Sequence, residues 1–317
     1  MRRHCALTLV LLAALACQAA SAAPPPGRKG GFQFGVIGHS FKTGSDDAPL
    51  KQAIKETNLA QPAFVVATGL KSMAESCGDK LYSQRKELFG HSEPPLVLSL
   101  AASDWSACKN SAGRSNAIER LNRLRDVFFA DDNSLGLHKL GLSRLSASAK
   151  FRSYAENAHW EYGKVLFATI NLPANNNHYL PEAGRNSEFE DRLVANRSWL
   201  KRLFAMAQRR KLDGIVLFSD GDVGALNDEE SSLLSGLNGR QDGFAGPRRQ
   251  IKALAKHYDG KVLLVDTQGK TKLDKALKQQ IAWRDNLGHI SVSAGWVEID
   301  VNPPHSAYPL FDVGDNR

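Results

Sequence analysis

Two patterns of apolar residues take turns along this chain. Short, mostly apolar runs stand at Phe32–Gly38 (FQFGVIG), Ala63–Ala67 (AFVVA), Leu96–Leu100 (LVLSL), Val165–Ile170 (VLFATI), Gly214–Phe218 (GIVLF) and Lys261–Val265 (KVLLV). Their length and β-branched content predict buried strands. Between them, helical spacing predicts helices near Pro49–Asn58, Lys80–Phe89, Asn116–Phe129, Phe189–Arg209 and Pro247–His257. In the fourth helix Leu193, Trp199, Leu200, Leu203, Phe204 and Ala207 share one face, which is a core stripe and not a cofactor box. Repeated strand–helix units predict an α/β protein with largely parallel strands flanked by helices. The last stretch differs: His289–Val292 and Gly295–Val301 (GWVEIDV) predict a terminal antiparallel hairpin, ended by Pro303-Pro304. No repeat or linker interrupts the alternation, so residues 32–312 read as a single domain.

The beginning of the chain does not belong to that pattern. Arg2 and Arg3 precede an uninterrupted apolar run from Ala6 to Ala16, and small residues follow through Ala20-Ser21-Ala22-Ala23. This is the layout of a cleavable secretory signal over residues 1–23. The run is shorter than the roughly 20 residues a bilayer span needs, so no transmembrane segment is expected. Cys17 as a lipidation site is the alternative, making the chain a lipoprotein in place of a periplasmic or secreted protein. A Pro/Gly-rich leader (24–31) then separates the signal from the domain.

Composition adds limits. The chain has 317 residues, 42% hydrophobic and 23% charged, with a net charge of +8. Those values exclude disordered, collagen-like and disulfide-framework classes. Loss of Arg2 and Arg3 with the signal lowers the charge to about +6. Of four cysteines, Cys77 and Cys108 remain after the signal. Export predicts that they pair, with a reactive pair as the alternative. Closing a loop of about 30 residues contributes roughly 3–4 kcal/mol by chain entropy.

In parallel α/β folds ligands sit beyond the carboxyl ends of the strands. Here those ends read Gly38-His39-Ser40, Thr68-Gly69-Leu70, Ala101-Ala102-Ser103-Asp104-Trp105, Ser219-Asp220-Gly221-Asp222 and Asp266-Thr267-Gln268-Gly269. Further marks are Gln61-Pro62 before the second strand, Cys77 through Gln84-Arg85 to Phe89, Asp104-Trp105 to Cys108 and Glu119-Arg120-Leu121. Leu124-Arg125, Phe128-Phe129, Ser134-Leu135-Gly136, Glu156-Asn157, Trp160, Asn175-Asn176-Asn177, Asn196 with Trp199-Leu200, and Leu273-Asp274-Lys275 continue the series. This series resembles the calcineurin-like metallophosphoesterase family, in particular its exported bacterial branch, over roughly residues 32–312. The resemblance implies a four-layer α-β-β-α sandwich with mixed sheets, and a pairing of Cys77 with Cys108. It also implies two metal ions held by Asp after the first strand, Gly-Asp after the second, Gly-Asp-Asn after the third, and later histidines.

The ligand positions depart from that pattern. His39 stands for the first Asp, Leu70 for the metal-bridging Asp, and Ala101-Ala102-Ser103 for Gly-Asp-Asn. Ser219 falls near an expected His or Gln, and Asp266-Thr267-Gln268-Gly269 lacks a His-x-His. Two like-charged ions about 3.5–4 Å apart need a shared anion, which leucine cannot supply. Without metals, most of the electrostatic catalysis of phosphoryl transfer is gone. No cofactor is therefore expected.

Two functions follow from these residues. The first is a non-catalytic binding or scaffold protein of the bacterial envelope, its partner a protein or an anionic envelope ligand. The alternative is a hydrolase with one divalent metal ion rebuilt on His39, Asp104, Asp220, Asp222 and Asp266. Against the alternative, Asp220-Gly221-Asp222 also reads as a turn, and the other groups as caps. Asn175–Asn177 with His178 read as a loop, and His159 beside Trp160 as a packed or surface residue. No phosphate-binding loop, HExxH or GxSxG is present. The basic clusters Arg209-Arg210-Lys211 and Arg248-Arg249 flank helix ends, where cations offset the dipole. With export expected, nucleic acid is not a predicted partner. The Asn196-Arg197-Ser198 sequon falls inside a predicted helix.

Overall fold

Every apolar run named above becomes a strand, and the strands divide between two sheets. The computed structural model describes residues 30–42, 44–181, 186–227, 241–269 and 280–314. The expected signal with Cys17, most of the leader and the Leu273-Asp274-Lys275 triplet lie outside the described residues.

The first sheet grows from three strand–helix units. β1 (Phe32–Ile37) leads to α1 (Ala48–Ala60), β2 (Val65–Thr68) to α2 (Asp79–Gly90), and β3 (Leu96–Ser99) to the short α3 (Ala102–Trp105) and α4 (Ala117–Phe128). The second sheet follows with β4 (Ser143–Arg144), β5 (Ala158–Tyr162), β6 (Val165–Thr169), α5 (Ser187–Arg210), β7 (Gly214–Phe218), α6 (Ala245–Lys256), β8 (Lys261–Asp266), β9 (Ala282–Arg284) and β10 (Leu287–Ser291). β11 (Trp296–Val301) and β12 (Phe311–Val313) return to the first sheet. The orders are β12-β11-β1-β2-β3 and β4-β5-β6-β7-β8-β10-β9. Both are parallel in the middle and antiparallel at one or both edges, so they are mixed rather than largely parallel.

The layers follow from which residues share a core. Phe34, Val36, Phe64 and Val66 of the first sheet pack against Trp160, Phe167, Val216, Phe218, Leu263 and Val265 of the second. A cluster of aromatic rings crosses this layer: Phe64 meets Phe167 edge-on at 4.8 Å and Trp160 at 5.4 Å between centroids. Each such pair adds about 0.5–1.5 kcal/mol beyond its buried area. Alternate strand residues point the other way. Ile37, Val65, Ala67, Leu96 and Leu98 pack on Leu50, Ile54, Tyr82, Phe89, Leu121 and Leu124 of α1, α2 and α4. Leu166, Ile215, Leu217, Val262 and Leu264 pack on Trp199, Leu203, Phe204 and Ile251 of α5 and α6. The result is four layers, α-β-β-α.

One expected element is corrected. His289–Val292 and Gly295–Val301 do not form a hairpin. β10 lies parallel to β8 in the second sheet, while β11 lies antiparallel to β1 in the first, pairing Phe32 with Val301 and Ile37 with Trp296. The link between them crosses from one sheet to the other, and the Gly38 amide donates to the Gly295 carbonyl at 3.0 Å. A Cβ on Gly38 would collide with the Val292 carbonyl, so glycine is needed where the first strand meets this crossing. Pairing choice, not strand propensity, separates the two outcomes.

Cys77 and Cys108 are joined by a disulfide with Cα atoms 5.9 Å apart. It ties the segment after β2 to the segment after α3. No described helix is long and apolar enough to cross a membrane.

Candidate functional site

The carboxyl ends of β1, β2, β3, β7 and β8 gather at one end of the sandwich. There the chemistry-bearing side chains sort into an inward group, in the buried loops that follow β1, β2, β3 and β7, and an outward group on the helix side of the second sheet.

The inward group starts at His39, two residues past β1. Its Nε2 lies 3.2 Å from the Ser103 Oγ and 3.2 Å from the Lys71 carbonyl. Gly69 makes room for the ring: it has φ of +76°, and a Cβ there would collide with the imidazole. Asp104, in α3, is fully buried. Its carboxylate accepts from the amides of Leu70 at 3.0 Å and Ala101 at 2.7 Å, and from the Ser103 hydroxyl at 3.3 Å. Burial raises the Asp104 pKa, Asp220 adds to the rise, and His39 with the two amides opposes it. Leu70 is completely buried, its amide held by Asp104 and its carbonyl by the Arg85 Nε at 2.8 Å. Lys71 is buried beside it and donates to the carbonyls of Ser72 at 2.7 Å and Ser103 at 2.9 Å. Burial lowers the Lys71 pKa, against the pull of Asp104 and Glu75.

Asp220, one residue after Ser219, serves three loops at once. Its Oδ2 accepts from the amides of Ala102 at 2.8 Å and Ala174 at 2.9 Å, and its Oδ1 from the Thr267 hydroxyl at 2.8 Å. Lys42 reaches across from the first sheet to the Thr267 carbonyl at 2.7 Å. The Ser219 hydroxyl turns to the Gly221 carbonyl at 3.0 Å. Asp104 and Asp220 therefore act as acceptors for main-chain amides that irregular loops would otherwise leave unpaired.

Asp266 points elsewhere. Val265 faces the inter-sheet core and Leu264 the helix-side core, so strand alternation carries Asp266 to the helix side. There its Oδ2 meets the Nε2 of His289 at 2.5 Å, and its Oδ1 accepts from Ser291 Oγ at 2.7 Å and the Gln268 amide at 2.8 Å. The Asp222 Oδ1, which accepts from the Gly224 amide at 2.6 Å, stands 3.8 Å from the same His289 nitrogen. Burial opposes the charge on His289, but the hydrogen bond and charge of Asp266, aided by Asp222, raise its pKa overall. The donor atoms of Asp222, Asp266 and His289 all lie within 4.8 Å of one another.

The five ligands expected from sequence thus do not form one set. His39, Asp104 and Asp220 stay in the inward loops, while Asp222 and Asp266 join His289, which sequence reasoning assigned only to a strand. The signal was available in the polar alternation of His289 and Ser291 within β10, facing the same side as Asp266. Their partner could be recognised only with the parallel register that sets Ser291 opposite Asp266.

Two further histidines are packed. His159 sits edge-on to Trp199 at 5.3 Å, and burial pushes its pKa down to about 4. His178 sits edge-on to Trp105 at 4.8 Å, and burial lowers its pKa too. It closes a left-handed turn, Asn176-Asn177-His178, with φ of 54°, 54° and 53°. Asparagine tolerates that conformation better than most residues. The turn is fastened by Asn176 and Asn177, which bond to the main chain of Gln241 and Gly243, and by buried Arg192, which donates to Asn177.

The dinuclear centre that the sequence resemblance implies does not fit these donors. Where the resemblance expects a bridging Asp stands the buried Leu70, and the neighbouring carboxylates hold amides. The Lys71 amine is buried beside it and is held by the Ser72 and Ser103 carbonyls.

The chain matches no protein-family profile and no curated protein. Among solved structures it is similar to a novel phosphatase from Mycoplasma pneumoniae, at 13% identity and a TM-score of 0.37, over 82% of this chain and 71% of that one. The architecture stands on this chain's own strands and cores.

Proposed function

We propose that this chain is an exported, non-catalytic binding or scaffold protein of the bacterial envelope, a metallophosphoesterase-like domain (32–312) with its metal centre lost. One observation carries the reading: the carboxylates left in the cleft are bonded to backbone amides, beside a leucine where two metals would need a shared anion. A carboxylate that must hold two buried amides is not free to ligate an ion without leaving those amides unpaired. The partner is a protein or an anionic envelope ligand, recognised by the cleft rim or the faces around it.

The test is a turnover assay on the purified chain. p-Nitrophenyl phosphate and its bis-ester are offered with Mn2+, Zn2+ or Fe2+. The expected result is no hydrolysis above that of His39→Ala. Hydrolysis that disappears in His39→Ala, with the fold retained by circular dichroism, would overturn the reading in favour of a rebuilt hydrolase.

A further inference from the structure

We propose that Asp222, Asp266 and His289 form a mononuclear zinc site on the helix-side face of the larger sheet, separate from the inward group around His39 and Asp104. One imidazole nitrogen and two carboxylate oxygens are a donor set suited to Zn2+, with a fourth position left to water. Three elements deliver them: the loop after β7, the end of β8 and the middle of β10. This convergence depends on tertiary structure, since the residues are far apart in sequence and meet through the β7-β8-β10 order.

The distances suit an ion between the three. Ligands about 2.0–2.1 Å from a tetrahedral zinc stand roughly 3.3 Å from one another. The His289 nitrogen is 2.5 Å from Asp266 and 3.8 Å from Asp222, which brackets that spacing. Small side-chain rotations, opening one gap and closing the other, create the site. Asp266 is also oriented by groups outside the trio: Ser291 and the Gln268 amide hold its second oxygen and leave the first for the shared position. Such outer contacts fix a ligand's direction in metal centres. Charge points the same way. Two carboxylates face one imidazole, and among the described residues no lysine or arginine pairs with either of them.

None of these three residues takes part in the inward group's hydrogen bonds, so the site stands whether or not the cleft is catalytic. The competing description is a His289–Asp266 ion pair with Asp222 as a bystander. It predicts no metal affinity above that of surface histidines.

The experiment is equilibrium dialysis of the purified, untagged chain against buffered Zn2+, with bound metal measured by elemental analysis. One zinc per chain is expected, with His39→Ala unchanged. Asp222→Asn and His289→Ala should each weaken binding at least tenfold. Asp222 is 38% exposed, so its variant keeps the fold even if His289→Ala does not. Retention of no zinc, or zinc binding that Asp222→Asn leaves intact, overturns the site. Zinc lost in His39→Ala but kept in Asp222→Asn would place the metal in the inward group instead.

Discussion

Asp104 and Asp266 are both nearly inaccessible carboxylates at the same end of the sandwich, 0% and 3% exposed. Asp104 faces inward and its two oxygens are taken by backbone amides and a hydroxyl. Asp266 faces outward, and one of its oxygens meets an imidazole with a second carboxylate close by. The residue type is the same and so is the degree of burial. What separates a structural acid from a ligand is the identity of its donors. Asp104 holds an amide on each oxygen, whereas Asp266 holds one only on Oδ1 and turns Oδ2 to a histidine that can exchange a proton for a metal.

The contrast can be broken most directly at Asp104. Asp104→Ala leaves the Leu70 and Ala101 amides buried without acceptors, a loss of about 3–5 kcal/mol at roughly 1–3 per unpaired group together with the lost packing. Denaturant unfolding should show a lower midpoint with an unchanged slope. A midpoint equal to that of the parent would mean that Asp104 does not anchor those amides.

Next in size is the disulfide. Cys77→Ser with Cys108→Ser, or reduction, removes a cross-link spanning 31 residues, worth about 3–4 kcal/mol by chain entropy. The loss should loosen the inward group, read as faster amide exchange at Leu70 and Ala101, and leave zinc retention by the outward group unchanged. Equal loosening at His289 would join the two regions into one unit.

A smaller effect distinguishes the outward group by pH. In the metal-free protein His289 holds its proton more firmly when folded, because Asp266 favours the imidazolium. The contribution of this pair is full below the unfolded pKa of 6.5 and is lost as pH rises through the higher folded value. His289→Gln should flatten stability across that window when unfolding is followed in the presence of a chelator. A pH dependence identical to the parent's would remove Asp266 as its partner.

The smallest effect belongs to Asp222. Without metal, Asp222→Asn should change stability by less than about 0.5 kcal/mol, as for other partly exposed charges. A large loss in calorimetry would make Asp222 a structural acid like Asp220.

Strands were legible where burial on both faces made continuous apolar runs, as at Gly214–Phe218. They were hidden where one side is polar or the strand is short. β5 reads AHWEY, mixing Trp160 with His159 and Glu161, and it depends on Gly163 (φ +57°) to turn into β6. β9 and β12 have three residues each, below the length at which periodicity speaks. The site was legible as a set of positions and illegible as a set of contacts. Leu70 could be located at the end of its strand by residue order, but not the amide and carbonyl contacts that hold it. The split between Asp220 and Asp266 came from strand alternation and register, which no local pattern contains.

The crossing from β10 to β11 bears on how the protein reaches its fold. β1 is flanked by β2 and β11, and the Gln33–Asp300 side-chain bond that accompanies the second pairing spans 267 positions. A contact that remote closes a very large loop, and such closures slow folding. Until residues 296–301 arrive, β1 has an open edge of unpaired amides and carbonyls, the kind of edge that recruits other strands. A chain emerging from its amino end therefore carries a growing sheet that its last strands must seal, and holding the chain unfolded until they arrive keeps that edge from pairing with a neighbour.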